Sequence, residues 1–503
     1  MAPVIPLAWL LLAPTSDGLE IVRATPDGVG FQLGESGDPF VLFGSNAVVH
    51  TGNPDDPWAL NLLTPAGWDH GLLTTMLDRA RDLGMNHIKF FLPIGQVLPD
   101  PQPTDGARLV DGTEERVRIL LDEAAARGLR VSLTLTSWGG NGCQWWQEGG
   151  QYWGTLGRML PRDSFVTLAD FWRQMAALCR DRGALLSYNL AVEWTLPNGN
   201  LTWEPEPKGL IPGIHALPAF RHYVTLLYQG DIDALNAAWG TTLESFNDVT
   251  LPDLAWDGQA YASPDGMVRD YNEFREWTSL RYLRSQAEAI RSVDPDHMVT
   301  AGAHGRTPAD QWPGSAQYVM GFTSRDAAGF LDYVTVHHYV QANQVEEGLA
   351  LAELLARFAW NGVPVVMEEY GYAPDPEDED AESTTASVMI DLMRRTQDDV
   401  AGWSAWYLTN AVGQTAIDVD GVTHFGPYTP AWQRTELGER MADLVSEGFF
   451  AGPSRRVAAE NVVSVDRASC MAPRELGVLL RIARDWDAYV HPIDFEYPPP
   501  PMD

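Results

Sequence analysis

An α/β fold, a (β/α)8 barrel, is what this 503-residue sequence predicts, and three observations predict it. Eight short β-rich runs alternate with amphipathic helical stretches, the signature of repeated βα units. The first of these runs leads into GSNAVVHTG (44–52), not into the Gly-rich phosphate loop that a doubly wound sheet would need. The composition, 45% hydrophobic and 20% charged, is that of an ordinary globular chain, long enough for one large barrel with accessories.

The elements follow in order. Residues 1–30 are an N-terminal segment whose stretch MAPVIPLAWLLLAP has the length of a signal peptide. The first basic residue is Arg23, so the positive leading region is missing. The segment reads as part of the folded chain, with a degenerate export signal as the alternative, and both a secreted and a cytoplasmic location stay open. IVRATPDGVGFQL and FVLFGSN, separated by the turn cluster GESGD, predict an N-terminal β-hairpin before the barrel. Residues 31–450 form the barrel. Its strands are expected at 40–46, 87–93, 130–138, 185–194, 297–303, 333–339, 363–371 and 402–410.

Between them, Leu72, Leu73, Met76, Leu77, Ala80 and Leu83 recur at helical spacing. A second helix runs from a Thr113 cap through Val117, Leu120, Leu121 and Ala124 to Gly128, a helix-stopping residue. Further helices are expected at about 166–182, 216–229, 271–292, 344–360, 385–396 and 434–447. The longest insertion, 195–296, holds two of them and the stretch DIDALNAAWGTTLESF. Residues 451–503 form a short C-terminal extension of unread role, ending in EYPPPPMD, which cannot pack as regular structure.

Charge and cysteine content narrow the function. Lys+Arg 34 against Asp+Glu 68 gives a net charge of −34, which repels nucleic acid and anionic membranes and favours a neutral or cationic substrate. No run approaches the roughly 18 apolar residues of a membrane span. The acidic run PDPEDEDAE (374–382) reads as a solvated loop. Cys143, Cys179 and Cys470 give neither a disulfide framework nor metal-ligand spacing, leaving at most one Cys143–Cys179 bridge. No metal and no cofactor are expected, and the oligomeric state is unread.

In a barrel the reactive side chains belong at the C-terminal ends of the strands. The fourth strand ends in AVEW and the seventh in MEEYG, which places Glu193 and Glu369 at the rim. Two carboxyls about 5 Å apart suit double displacement at a glycosidic bond, one giving a proton to the leaving oxygen and the other attacking the anomeric carbon. Their environments must then split their pKa values. On the sixth strand, alternation puts His337 and Tyr339 on one face, the Tyr to hold the nucleophile and the His to bind a sugar hydroxyl. Asn46 ends the first strand. Lys89 on the second is a cation able to lower the nucleophile's pKa. Nineteen Trp is a heavy load. Trp138, Trp194 and Trp406 are among those at the rim, where flat rings suit the apolar faces of a pyranose.

These residues resemble clan A of the glycoside hydrolases, family 5 above all. PVVMEEYG looks like the Pro-x-x-x-x-Glu-Phe/Tyr-Gly run of the clan's nucleophile, which maps onto Glu369 and not Glu368. YVTVHHY is similar to its sixth-strand His-x-Tyr, and GWSAW to the segment whose Trp floors the site, here Trp406. RSVDPDHMVTAG (291–302) looks like the fifth-strand approach of mannanases, and IDALNAAWGTT like a helix–loop of family 42 β-galactosidases. The sequence departs from the clan pattern twice: Val192 precedes Glu193 where the clan has Asn, and Lys89 stands where it has Arg. Asn189 or Asn410 is the candidate to replace the missing Asn.

The resemblance implies a retaining β-glycosidase that hydrolyses β-linked neutral glycans of mannan or glucan type, with an oligo- or polysaccharide substrate. An exo-acting β-galactosidase or β-mannosidase is the alternative within the clan. A non-catalytic carbohydrate-binding barrel is the alternative outside enzymes.

Overall fold

The computed structural model describes residues 15–49, 62–98, 103, 105–136, 162–192, 216–251, 266–302, 327–375, 377–410 and 425–452. Eight parallel strands form the centre: β4 (Leu42–Asn46), β5 (His87–Pro93), β6 (Arg130–Thr136), β7 (Leu185–Val192), β8 (Met298–Gly302), β9 (Val334–Gln341), β10 (Val365–Ala373) and β11 (Gly402–Ala405). Strands β4 to β8 pair in chain order, as do β9 to β11, and β4 also pairs with β11, Leu42 opposite Gly402 and Ser45 opposite Ala405. That last pairing decides for a barrel against a doubly wound sheet, in which the order would reverse and the first and last strands would not meet. The remaining seam, β8 against β9, is drawn together by Asp332 N donating to Val299 O at 2.9 Å. There, Thr300 Oγ1 donates to Tyr333 O at 2.8 Å and Thr335 Oγ1 to Ala301 O at 3.0 Å.

The strands sort their side chains by alternation. On β5, Ile88, Phe90 and Leu92 join the apolar layer shared with the surrounding helices, while His87, Lys89 and Phe91 point inward. The helix His70–Asp82 begins where the Asp69 side chain accepts the Leu72 amide at 2.9 Å. Leu73, Met76, Leu77 and Ala80 of that helix are buried against the strands. Thr113 is not the cap of the next helix: the helix Thr113–Ala125 starts after Gly112, which takes the left-handed conformation, and Thr113 is buried in its first turn. The 195–296 insertion supplies the helices Ala216–Leu227, Ile232–Trp239 and Gly266–Arg291.

The N-terminal segment differs from the expected single hairpin. β1 (Val22–Ala24) turns back on β2 (Phe31–Leu33), which pairs with β3 (Pro39–Phe40), so the three form an antiparallel meander. The stretch expected as one strand holds its own turn, because the Asp27 carboxylate accepts the Thr25 hydroxyl and the Val29 amide and folds TPDG back on itself. Val22 and Phe31 pack with Leu42, Leu186, Met298, Tyr333 and Val366, closing the N-terminal mouth of the barrel. Arg23 pairs with Asp296 at the same end. With one mouth plugged, the opposite, C-terminal mouth is the one left for a site. Cys179 is a free, fully buried thiol, and Cys143, its expected partner in a bridge, lies outside the described residues.

Candidate active site

The barrel interior becomes polar above the plug. His87, Ser132, Ser187 and Tyr333 form a hydrogen-bonded row across it, with His87 Nε2 2.8 Å from Ser132 Oγ. Ser132 Oγ lies 2.8 Å from Ser187 Oγ, and Ser187 Oγ 2.8 Å from the Tyr333 hydroxyl. Burial pushes the His87 imidazole down to about 3, with Lys89 adding to the effect and Glu368 opposing it, so His87 is neutral.

One layer higher sits a cluster of charges that is almost entirely out of water. The Lys89 ammonium, fully buried, lies 3.1 Å from Glu368 Oε2 and 3.4 Å from Glu369 Oε1. His337 stands between the same two carboxylates, Nε2 3.1 Å from Glu368 Oε2 and Nδ1 3.4 Å from Glu369 Oε2. The Tyr339 hydroxyl donates to Glu369 Oε2 at 3.0 Å, and the Asn189 amide to Glu368 Oε1 at 2.6 Å. Burial pushes the Glu368 carboxyl up, but Lys89 and His337 outweigh it and hold the group down to about 2. Burial likewise disfavours the charged Lys89, yet the two carboxylates together raise its pKa.

Glu368 and Glu369 are consecutive, and alternation would send one of them outward into the apolar layer. A β-bulge prevents this. Met367 is opposite Val336, but the next pairing is Glu369 opposite His337, so Glu368 is an extra residue on β10. Both carboxylates therefore face inward, and alternation resumes with Tyr370 buried among the helices. Two glycines make room. A Cβ on Gly302 would lie 2.9 Å from Glu368 Oε2, and one on Gly371 would lie 3.0 Å from the Tyr339 ring.

Above the charges is an apolar collar of Val48, Phe91, Val192, Tyr407 and Phe425, with Tyr339 and Trp406 against it. Trp406 meets Phe91 edge-on at 6.1 Å and is half-buried, and the Lys89 ammonium lies 5.3 Å from the Phe91 ring centre. Val192, in place of the clan's Asn, contributes a side chain to this collar.

Of the sequence-derived residues, the structure brings Lys89, Asn189, His337, Tyr339 and Glu369 into one cluster. Asn46 braces the backbone beside them, its amide donating to Glu368 O at 3.0 Å and Ala405 O at 3.1 Å, while its buried Oδ1 has no hydrogen-bond partner among the described residues. Asn189 is engaged inside the barrel on both sides of its amide, since its Oδ1 accepts the Gly302 amide at 2.9 Å. Asn410 Oδ1 accepts the Gly426 amide at 2.8 Å. Glu193, Trp138 and Trp194 lie outside the described residues.

The fold and part of the sequence have relatives. Residues 214–374, from the insertion through β10, match the glycoside hydrolase family 42 model, described as β-galactosidase. A β-galactosidase of Arthrobacter sp is 30% identical over 155 residues, which are 30% of this chain and 21% of that protein. The chain thus aligns with about a fifth of that curated relative. Among solved structures, an exo-β-1,4-mannosidase from Opitutaceae bacterium strain TAV5 superposes with a TM-score of 0.54 at 15% identity, over 84% of this chain and 62% of that one. The GH5_18 protein of Streptomyces cattleya superposes with a TM-score of 0.51 at 16% identity, over 83% of both chains. Over residues 214–374 this chain is similar to family 42 of the glycoside hydrolases, and its barrel has the fold of the family 5 structures.

Sequence reasoning missed Glu368, assigning the nucleophile run to Glu369 alone. A signal was available. An ionised side chain turned outward from a strand as apolar as VPVVM would have no partner among the barrel helices, so a consecutive Glu pair there implies a bulge. His87 was missed too, and only the interior row gives it a partner.

Proposed function

We propose that this chain is a retaining β-glycosidase working by double displacement, with Glu369 as nucleophile and Glu193 as acid/base. The observation that carries the reading is the setting of Glu369. It is a carboxylate at the C-terminal end of β10, facing a buried cation at 3.4 Å and accepting a phenolic hydrogen bond at 3.0 Å. These neighbours supply a cation and a hydrogen-bond donor to the carboxylate that must attack. Glu193 follows directly on Val192, whose side chain belongs to the collar over the same mouth.

In the first step Glu193 protonates the glycosidic oxygen as the C–O bond breaks and a Glu369 oxygen bonds to the anomeric carbon. In the second, Glu193 takes a proton from water, which displaces Glu369 and restores both groups. Tyr339 and Lys89 hold the Glu369 oxygens so that attack needs no reorientation. The Trp406 ring at the collar offers a flat face to the sugar.

A β-galactoside is the substrate class that the sequence matches favour, ahead of the mannan or glucan first expected, because both of those matches are to β-galactosidases. A terminal β-mannoside is the second candidate. A panel of aryl β-glycosides tests the reading. Glu369→Ala should lose roughly 10^4-fold or more in kcat whatever the leaving group. Glu193→Ala should keep much of its activity on dinitrophenyl glycosides, whose leaving group needs no proton, and little on alkyl ones. Release of the inverted anomer, or sugar binding without turnover across the panel, would overturn the proposal.

A further inference from the structure

We propose, on the double-displacement reading, that Glu368 is a positioning residue: a permanent buried counter-charge that keeps Lys89 and His337 in place while Glu369 loses and regains its own charge. The geometry is that of two groups shared between two carboxylates. A single oxygen of Glu368, Oε2, takes both Lys89 Nζ and His337 Nε2 at 3.1 Å, and each of these partners reaches Glu369 at 3.4 Å with the same ammonium or the opposite ring nitrogen. The other oxygen of Glu368 is fixed by Asn189 at 2.6 Å. The bulge on β10 and the missing side chain of Gly302 have the effect of admitting this second carboxylate.

The need for it follows from the chemistry. When a Glu369 oxygen bonds to the anomeric carbon, the carboxylate becomes an ester and its charge disappears, the leaving group departing with the proton of the acid/base. Lys89 is fully buried. Without Glu368 it would then be an ammonium out of water with no counter-charge, a strongly unfavourable arrangement. Glu369 would also be held too tightly before attack, since all of the cation's field would fall on it. Glu368 thus lowers the electrostatic difference between free enzyme and glycosyl-enzyme.

The sign of this effect differs between the two steps, which separates positioning from mere structural support. In Glu368→Gln, forming the intermediate strips Lys89 of its remaining counter-charge, so glycosylation slows, whereas breaking the intermediate restores it. Dinitrophenyl 2-deoxy-2-fluoro-β-galactoside and the corresponding β-mannoside measure both steps, through the rate of inactivation and the rate of recovery of the trapped enzyme. The expected result is inactivation slowed by about tenfold or more, recovery as fast as wild type or faster, and partial rescue of inactivation by Glu368→Asp, which keeps the charge. Equal rates in wild type and Glu368→Gln would overturn the inference, as would inactivation and recovery slowing together in step with a lowered unfolding midpoint. The labelled peptide separates this failure from a failure of the proposed function. Label on Glu369 in wild type with no effect of Glu368→Gln sinks the positioning role alone. No label with either probe removes the double-displacement reading itself, and label on Glu368 moves the nucleophile there and sinks both the Glu369 assignment and the positioning role.

Discussion

Lys89→Met would remove the cation that faces two carboxylates inside the barrel, and the outcome can be worked from Glu368. In the folded protein this carboxyl is held down to about 2 against an ordinary 4.5, burial raising it and Lys89, the first of the opposing influences, lowering it with His337. A group depressed in this way stabilises the fold fully above its unfolded value of 4.5, and that contribution fades as pH falls toward 2. At neutral pH it amounts to about 3 kcal/mol, in the range found when one partner of a buried ion pair is deleted. In the variant, burial is no longer offset by the ammonium, so Glu368 titrates higher and charging it works against folding.

The stability lost to Lys89→Met should therefore be about 3 kcal/mol at pH 7 and only about 1 kcal/mol near pH 3, where wild type has begun to lose the same contribution. Urea unfolding of both proteins at the two pH values measures the difference. Lys89→Met/Glu368→Gln, which removes the cation and one of its two carboxylates, should recover only part of the loss at pH 7, because Glu369 stays buried without the ammonium. A loss equal at both pH values would refute the reasoning, since the effect would then come from side-chain volume and not from charge.

Tyr339→Phe deletes the hydroxyl that donates to Glu369 Oε2 at 3.0 Å. A charge-assisted bond of that kind is worth about 1.5–3 kcal/mol and is already made in the free enzyme, so the unfolding midpoint should fall, and kcat/KM on a dinitrophenyl glycoside should fall about 10- to 100-fold as the nucleophile loses its anchor. Gly302→Ala places a methyl 2.9 Å from Glu368 Oε2 and 3.2 Å from Ala191 O. Overpacking of this sort costs about 1–3 kcal/mol, visible as a lowered thermal midpoint; an unchanged midpoint would mean that the Glu368 carboxylate lies elsewhere.

The sequence by itself determined the architecture and much of the site. Eight β-rich runs, each with helical spacing after it, leave few alternatives once the phosphate loop is missing, because strands with apolar residues on both faces need cover on both. The strand HIKFFLP was legible from end to end, since its observed bounds, His87–Pro93, are those of the apolar run. Lys89, His337, Tyr339 and Glu369 could be placed because strand ends and two-residue alternation are local properties.

What only the tertiary structure decided are the departures from alternation and the partners each charge finds. The bulge that turns Glu368 inward is a mismatch of register between β10 and β9, and register belongs to a pair of strands, not to either sequence. The use of Asn189 follows for the same reason: its partners are Glu368 on β10 and Gly302 on β8, 179 and 113 residues away along the chain. Closure of the barrel brings those residues to one spot, where the low dielectric makes the balance of charge among Lys89, His337 and the two carboxylates the quantity that governs the chemistry.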